Sequence, residues 1–374
     1  MKRLSGPDSN KLGARLGRVA LAVEATLLLG ALLLGLSTID SVAHAGKPIP
    51  PPPVYYDVVD LGEGTPHEMN DAGIMVGHSH FNDHAYRFDL LTGRVDLNVG
   101  ATWVDLRDSS NPTDWIAVDA TGINNSGEIV GYAQNTLGET RAYYFDGISS
   151  FRLLPGPAFT GSQVTLKIND LGTICAADGN ASVIVYSPDL TTHAIVVTPI
   201  VAAVVDINND GVVIATNNAQ DPTSVRFVLG VSGFTTFPHC ALRHMSDEYI
   251  CGVRAASGKV KGGPIRLAVN GTLSAVQPLT STNYPMSAWA GGVNNNGDVV
   301  INATLVLYKD GVSLRINDLI APSSRTFWAA HDYMWPSDIS ERIAFSATEG
   351  FGMMGFQGVS GGISKAILLI PRKP

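Results

Sequence analysis

Charge is scarce in this chain. Asp, Glu, Lys and Arg make up 16% of its 374 residues, aromatic residues 7%, and there are three cysteines. With 45% hydrophobic residues, so little charge excludes a disordered chain for the bulk of the sequence. Three cysteines with no C-x-x-C spacing exclude the usual zinc frameworks. No G-x-S-x-G nucleophile elbow, phosphate-binding Gly loop or H-E-x-x-H is present, and the run Gly350-Phe351-Gly352-Met353-Met354-Gly355 does not sit between a strand and a helix as a nucleotide loop must. No cofactor is therefore expected.

Turn-forming residues are abundant, with 39 Gly and 21 Pro. At the amino terminus Lys2, Arg3, Lys11, Arg15 and Arg18 precede an apolar run from Ala25 to Leu36, followed by the small residues of Ala43-His44-Ala45. This is the layout of a secretory signal over residues 1–45, cleaved after Ala45, and it implies a secreted or periplasmic protein. The alternative is a retained anchor, since Val19 to Ile39 nearly spans a bilayer, but Glu24 interrupts that stretch. Residues 46–53, rich in proline, form a stiff linker. Cleavage removes five of the 25 Lys and Arg and three of the 33 Asp and Glu, leaving 20 against 30, a net charge of −10. That balance argues against nucleic acid as a partner. A monomer without a stable membrane anchor is expected.

Residues 54–374 are organised by one recurring unit, seen in Gly122-Ile123-Asn124-Asn125-Ser126-Gly127-Glu128-Ile129-Val130-Gly131. An apolar residue, two Asn or Asp residues and a Gly make a tight turn, because these residues tolerate left-handed backbone angles. The β-branched residues beyond it form a strand. Clear copies lie at Met69–Gly73, Ile123–Gly127, Ile168–Gly172, Ile207–Gly211 and Val293–Gly297. Two worn copies, at Met245-Ser246-Asp247-Glu248 and Ile339-Ser340-Glu341-Arg342, lack the Gly and are one residue shorter, so their turns must differ in type. A third strand follows each hairpin, as in His84–Phe88 and Arg141–Phe145, and then a fourth, as in Arg94–Leu97 and Phe151–Leu154. Four strands in about 40 to 50 residues is one blade of a β-propeller.

The combination of the I-N-N-x-G turn and strand, an R/H-A-F/Y strand and a following D-L-G or D-L-N element resembles the probable extracellular repeats called the HAF family. The resemblance covers nearly all of residues 54–374. It implies export and a repetitive β architecture, and no catalytic residues. The expected fold is all-β, a propeller of four-stranded blades, seven with six as the alternative. The last repeat lacks a fourth strand, whereas Tyr55–Gly62 reads as a strand without a blade. Pairing Val58 and Val59 with the strand around Leu368 closes the ring and removes an open edge.

Four groups of residues are candidates for chemistry. His78-Ser79-His80-Phe81-Asn82-Asp83-His84 carries two His on one strand face and a carboxylate, the makings of a zinc set, although repeat positions explain the layout without a metal. Asp206–Gly211 resembles the first half of a calcium loop, but Asn217 stands where the bidentate Glu belongs, so an ordinary turn is the better reading. Trp289 and Trp335 occupy equivalent places in successive blades and either pack between them or form a sugar platform, with packing favoured. The long blade connections 98–114, with Trp103, Asp105 and Arg107, and 320–334, with Arg325, Trp328, His331 and Asp332, share a propeller face with His80 and Asp83. These nine residues mark the expected site for a glycan or protein ligand. A non-enzymatic binding role is the first reading; an extracellular hydrolase or lyase using His80, Asp83, Asp105, His331 and Asp332 is the second. Cys175 and Cys251 stand where other repeats have Val, as small buried residues do, and Cys240 and Cys251 flank one hairpin about three residues out of opposition, leaving a disulfide or two free thiols open.

Overall fold

A computed structural model describes residues 55–372 except 90–91, 99–101, 106–114, 157, 160–163, 178–179, 201, 203, 218, 258–261, 273–276, 280–289, 302–304, 310–311, 331, 340–353 and 361–362. Strands fill it, gathered into seven sheets. Six blades are built in chain order from innermost to outermost strand; blade two, for example, runs Trp115–Ile123, Ile129–Asn135, Thr140–Phe145 and Ser150–Leu153. The innermost strand of each blade packs against that of the next, and Asp332–Ile339 of blade seven packs against Thr65–Met69 of blade one, so the ring is closed.

Closure follows the expected register. Blade seven takes Asp332–Ile339, Met354–Ser360 and Ile363–Pro371 from the end of the chain and its outermost strand, Tyr56–Glu63, from the beginning. Val58 faces Leu369 and Val59 faces Leu368. One expectation fails here: the second strand of blade seven is Met354–Ser360, inside the glycine-rich stretch, rather than a strand directly after the worn turn at Ile339. Gly355 and Gly358 are accommodated within a strand paired on both sides. The worn segment 343–346 lies outside the described residues.

The turns explain their own sequence. In blade two the Asn124 N–H donates to the Glu128 carbonyl and Gly127, at φ 84°, donates back to Asn124. Blade five closes one residue earlier, Ser246 N–H to the Tyr249 carbonyl at 2.8 Å, as its missing Gly requires. The last Gly of the motif has a different cause. A methyl group on Gly131 would lie 1.9 Å from the Asp119 carbonyl oxygen, because the first strand bulges toward it between Ala117 and Asp119. Blades three and four have no such bulge and carry Ala176 and Ala215 at that position.

Between successive blades lie separate buried clusters, such as Ile123, Ile129, Tyr143, Phe145 and Phe151 near blades one and two. All three cysteines are buried and free, with Cys240 opposite Arg254 and Cys251 opposite His244. The register that sets them three residues apart leaves the disulfide unformed.

The described parts of the two long connections lie along sheet edges. Thr102–Asp105 adds a fifth, parallel strand to the outer edge of blade two, with Trp103 beside Phe151 and Asp105 beside Leu153 in the register. The other connection forms helix α1 (Ile316–Leu319), a 3-10 turn (Pro322–Ser324) and helix α2 (Arg325–Ala329). It covers the edge of the closing strand: Ala321 N–H donates to the Tyr56 carbonyl at 2.8 Å and Val58 N–H donates to Ser324 Oγ at 3.2 Å. Both insertions occupy edges that would otherwise invite pairing with another chain.

Candidate ligand-binding mouth of the central channel

The inner turns meet around the channel and are laced together there. In blades one to four the first Asn of the turn holds its own loop and the next blade at once. Asn70 Oδ1 accepts from Ala72 and Ile74 N–H, and its Nδ2 donates to the Asn124 carbonyl at 3.1 Å. Asn124 reaches the Asn169 carbonyl in the same way at 3.2 Å, and Asn169 the Asn208 carbonyl at 2.9 Å. These three amides are buried, and every buried polar group needs such a partner.

The second turn residue forms an outer rim. Around blades one to six it alternates Asp71, Asn125, Asp170, Asn209, Asp247 and Asn295. Two of these Asn amides each bridge two carboxylates: Asn125 Nδ2 donates to Asp71 at 2.9 Å and Asp170 at 3.1 Å, and Asn209 Nδ2 to Asp170 at 3.1 Å and Asp247 at 3.0 Å. Backbone N–H groups complete the ring, Asp170 N–H to Asn209 Oδ1 at 2.8 Å and Asn209 N–H to Asp247 Oδ1 at 2.9 Å. The amide groups of Asn125 and Asn209 are thereby consumed. Asp247 accepts two of these bonds, while a carboxylate has about four acceptor positions, so it retains unused capacity.

Rim and inner turns enclose a cavity of about 480 Å³. Its floor carries charge at one repeated position, the residue before the apolar turn residue. Glu68 and Asp206 stand there and each fastens the following blade, Glu68 Oε2 accepting from Ile123 N–H at 3.2 Å and Asp206 Oδ2 from Met245 N–H at 2.8 Å. The other Asp206 oxygen accepts from Ile207 N–H at 2.8 Å. Burial raises the Asp206 pKa despite the opposing Lys167 charge. Lys167 is itself 3.0 Å from Glu68. His244 lines the cavity from a deep position, and burial, with help from the Lys167 and Arg243 charges, pushes its pKa down to about 3. It is neutral at ordinary pH and presents an uncharged imidazole at the cavity floor.

Of the nine residues expected to form the site, the four whose side chains are described, His80, Asp83, Arg325 and Trp328, do not line this mouth. His80 and Asp83 lie between the second and third strands of blade one, on the opposite face, with His80 Nε2 2.9 Å from Thr65 Oγ1 and Asp83 at φ 54°. The histidine run stays partly together, with the His78 and His80 rings edge to face at 5.1 Å and His78 Nε2 3.7 Å from Asp83, while His78 Nδ1 bonds the Val118 carbonyl at 3.0 Å and His84 Nδ1 lies 2.8 Å from Asp96. Among the described residues no three His, Cys, Asp or Glu side chains are placed to hold a metal. In the calcium-like run each Asp206 oxygen accepts an N–H bond, and the Asn208 N–H closes a tight turn onto the Val212 carbonyl. Trp328 is a correction: it is buried, packs with Tyr56, Ile316 and Ile320, and donates from Nε1 to Asn317 Oδ1 at 2.7 Å, because helix α2 folds it under the closing strand. Arg325 is exposed on that helix, its Nε 3.3 Å from the Ile320 carbonyl. Trp103, Asp105, Asp332 and Trp335 are placed by their strands alone. Arg107, His331 and Trp289 lie outside the described residues.

No family model matches the chain, and no curated protein is similar to it in sequence. Among solved structures it is similar to a streptogramin B lyase, with a TM-score of 0.53 and 11% identity over 85% of this chain and 98% of that one. It is also similar to YCF48 bound to D1 peptide, with a TM-score of 0.51 and 12% identity over 84% and 94% of the two chains. The chain is a β-propeller. At these identities the likeness shows that fold alone, and the resemblance to HAF repeats rests on its motifs.

Proposed function

We propose that this is an exported, non-enzymatic binding propeller that holds a hydroxyl-rich ligand, the end of a glycan, at the acidic mouth of its channel. The observation that carries the reading is the alternation of rim residues. Bridging amides pin Asp170 and Asp247 in place, and carboxylates with spare acceptor positions then border a polar cavity of about 480 Å³. Pre-positioned acceptors favour hydroxyl donors and cost little ordering on binding, and the same charges oppose anionic ligands. Export is supported by the basic and apolar layout of residues 1–45.

Binding of the purified protein to an immobilised panel of neutral glycans tests this. Asp247→Ala is expected to weaken binding about tenfold, the worth of a hydrogen bond to a charged group, with the thermal transition still cooperative. A panel without binders, or binding indifferent to both Asp170→Ala and Asp247→Ala, refutes the reading.

A second reading, a lyase or hydrolase, uses the His244 imidazole at the cavity floor, held neutral by burial, to position a substrate or water by hydrogen bonding rather than as a general base, since its pKa of about 3 lies far below ordinary pH. That reading requires turnover that disappears in His244→Ala.

A further inference from the structure

A second cavity, of about 460 Å³, opens on the opposite face between blades four and five. It is lined by Asn217 and Gln220, which follow the second strand of blade four, and by Arg254, the last residue of the second strand of blade five, with Ala255 and Ala256 just beyond it. Arg243 enters it from the innermost strand of blade five, at the bulge between Leu242 and His244. The bulge divides two neighbours in sequence between two cavities, since His244 lines the channel mouth and Arg243 this pocket. Pro222, Ala241 and Val253 supply apolar walls.

We propose that this pocket binds a small organic oxyanion, a carboxylate or a phosphate monoester, between Arg243 and Arg254. Two guanidinium groups line one concavity in a chain whose net charge is −8. No carboxylate is among the described residues that line it. The planar fork of guanidinium donors matches an oxyanion in two-point fashion. Apolar walls with a few converging polar groups are the usual make-up of a small-molecule site, and the volume exceeds that of a bare ion. Burial lowers the Arg243 pKa, so its charge is only partly solvated and gains from an incoming anion. The inference is independent of the glycan reading, because the two cavities lie on opposite faces and prefer ligands of opposite character.

The test titrates the purified full chain separately with inorganic phosphate and with acetate, each against sodium chloride at matched ionic strength, and follows the thermal transition, which a ligand specific for the folded state raises. At least one oxyanion is expected to raise the transition beyond the chloride control. A response to phosphate alone assigns a phosphate monoester, and a response to acetate alone a carboxylate. Arg254→Gln is expected to weaken the response at least tenfold, and Arg254→Lys, which keeps the charge but loses the fork, to fall between. Arg254 carries the test because Arg243 is the more deeply set of the two and its replacement endangers the fold. No response to either anion, or an undiminished response in Arg254→Gln, overturns the proposal.

Discussion

Lys167 of blade three places its ammonium 3.0 Å from the Glu68 carboxylate of blade one, with all of blade two between them in the chain. The reach is possible because blade two carries Gly122 at the equivalent position. A methyl group there would lie 2.8 Å from Val130 Cγ2 and 3.0 Å from the Leu166 carbonyl oxygen. Both charged side chains are largely buried, so each depends on the other. Lys167→Met, which strands a buried carboxylate, is expected to cost about 3–5 kcal/mol. Adding Glu68→Gln should restore part of that loss, and chemical denaturation of the single and double variants reads it directly.

Gly131→Ala should be among the most damaging small substitutions in the chain. The new methyl group would be forced to within 1.9 Å of the Asp119 carbonyl, and backbone on both strands would have to move. Overpacking of this kind costs about 1–3 kcal/mol or more. The Ala176→Gly change in blade three, where no bulge intrudes, is the control and should cost only the strand weakening of a glycine.

Trp328→Ala is expected to destabilise the protein by about 3–5 kcal/mol through loss of a buried aromatic. Glycan binding per folded molecule should not change, because the indole packs beneath the closing strand with Tyr56 and Ile320. A fall in affinity without a fall in melting temperature would contradict this placement.

His244 ties stability to pH. Its folded pKa of about 3 lies below the ordinary value of 6.5, so between those values the unfolded chain binds a proton that the folded chain refuses. Its effect is absent above pH 6.5, and stability is lost as pH falls from there toward 3, by up to about 1.4 kcal/mol per pH unit. Asp206, whose pKa is raised by burial, acts in the opposite sense, since its folded form takes up a proton more readily than the unfolded one. His244→Gln should therefore flatten the acid limb of a plot of melting temperature against pH, and an unchanged limb would rule out this role.

All three thiols are free and buried. Alkylation in denaturant without reductant should add three groups to the chain, and alkylation of the native protein should add none at short times. Recovery of only one modified cysteine in denaturant, with peptide mapping that places it at Cys175, would show that Cys240 and Cys251 pair.

Sequence alone determined the repeat, a propeller of seven or six four-stranded blades, and the closing strand. These rest on local chemistry: Asn, Asp and Gly turn the chain wherever they recur, strand periodicity follows, and a blade missing one strand at one terminus finds it at the other, with Val59 against Leu368. The shorter turn at Ser246 was legible for the same reason. The second strand of blade seven was not, since Gly355 and Gly358 signal a loop in isolation and are tolerated only with paired neighbours on both sides. Tertiary structure decided the candidate site. Asp170 meets Asn125 and Asn209, and Glu68 meets Lys167, only because packed blades bring together residues some 40 to 100 positions apart. The one local signal was charge at Glu68, Lys167, Asp206 and His244, where Gly122 and Gly292 stand in other blades. The long insertions pointed elsewhere, because length marks a departure from the repeat but does not say whether the extra chain binds a ligand or, as with Thr102–Asp105 and Trp328, covers an edge.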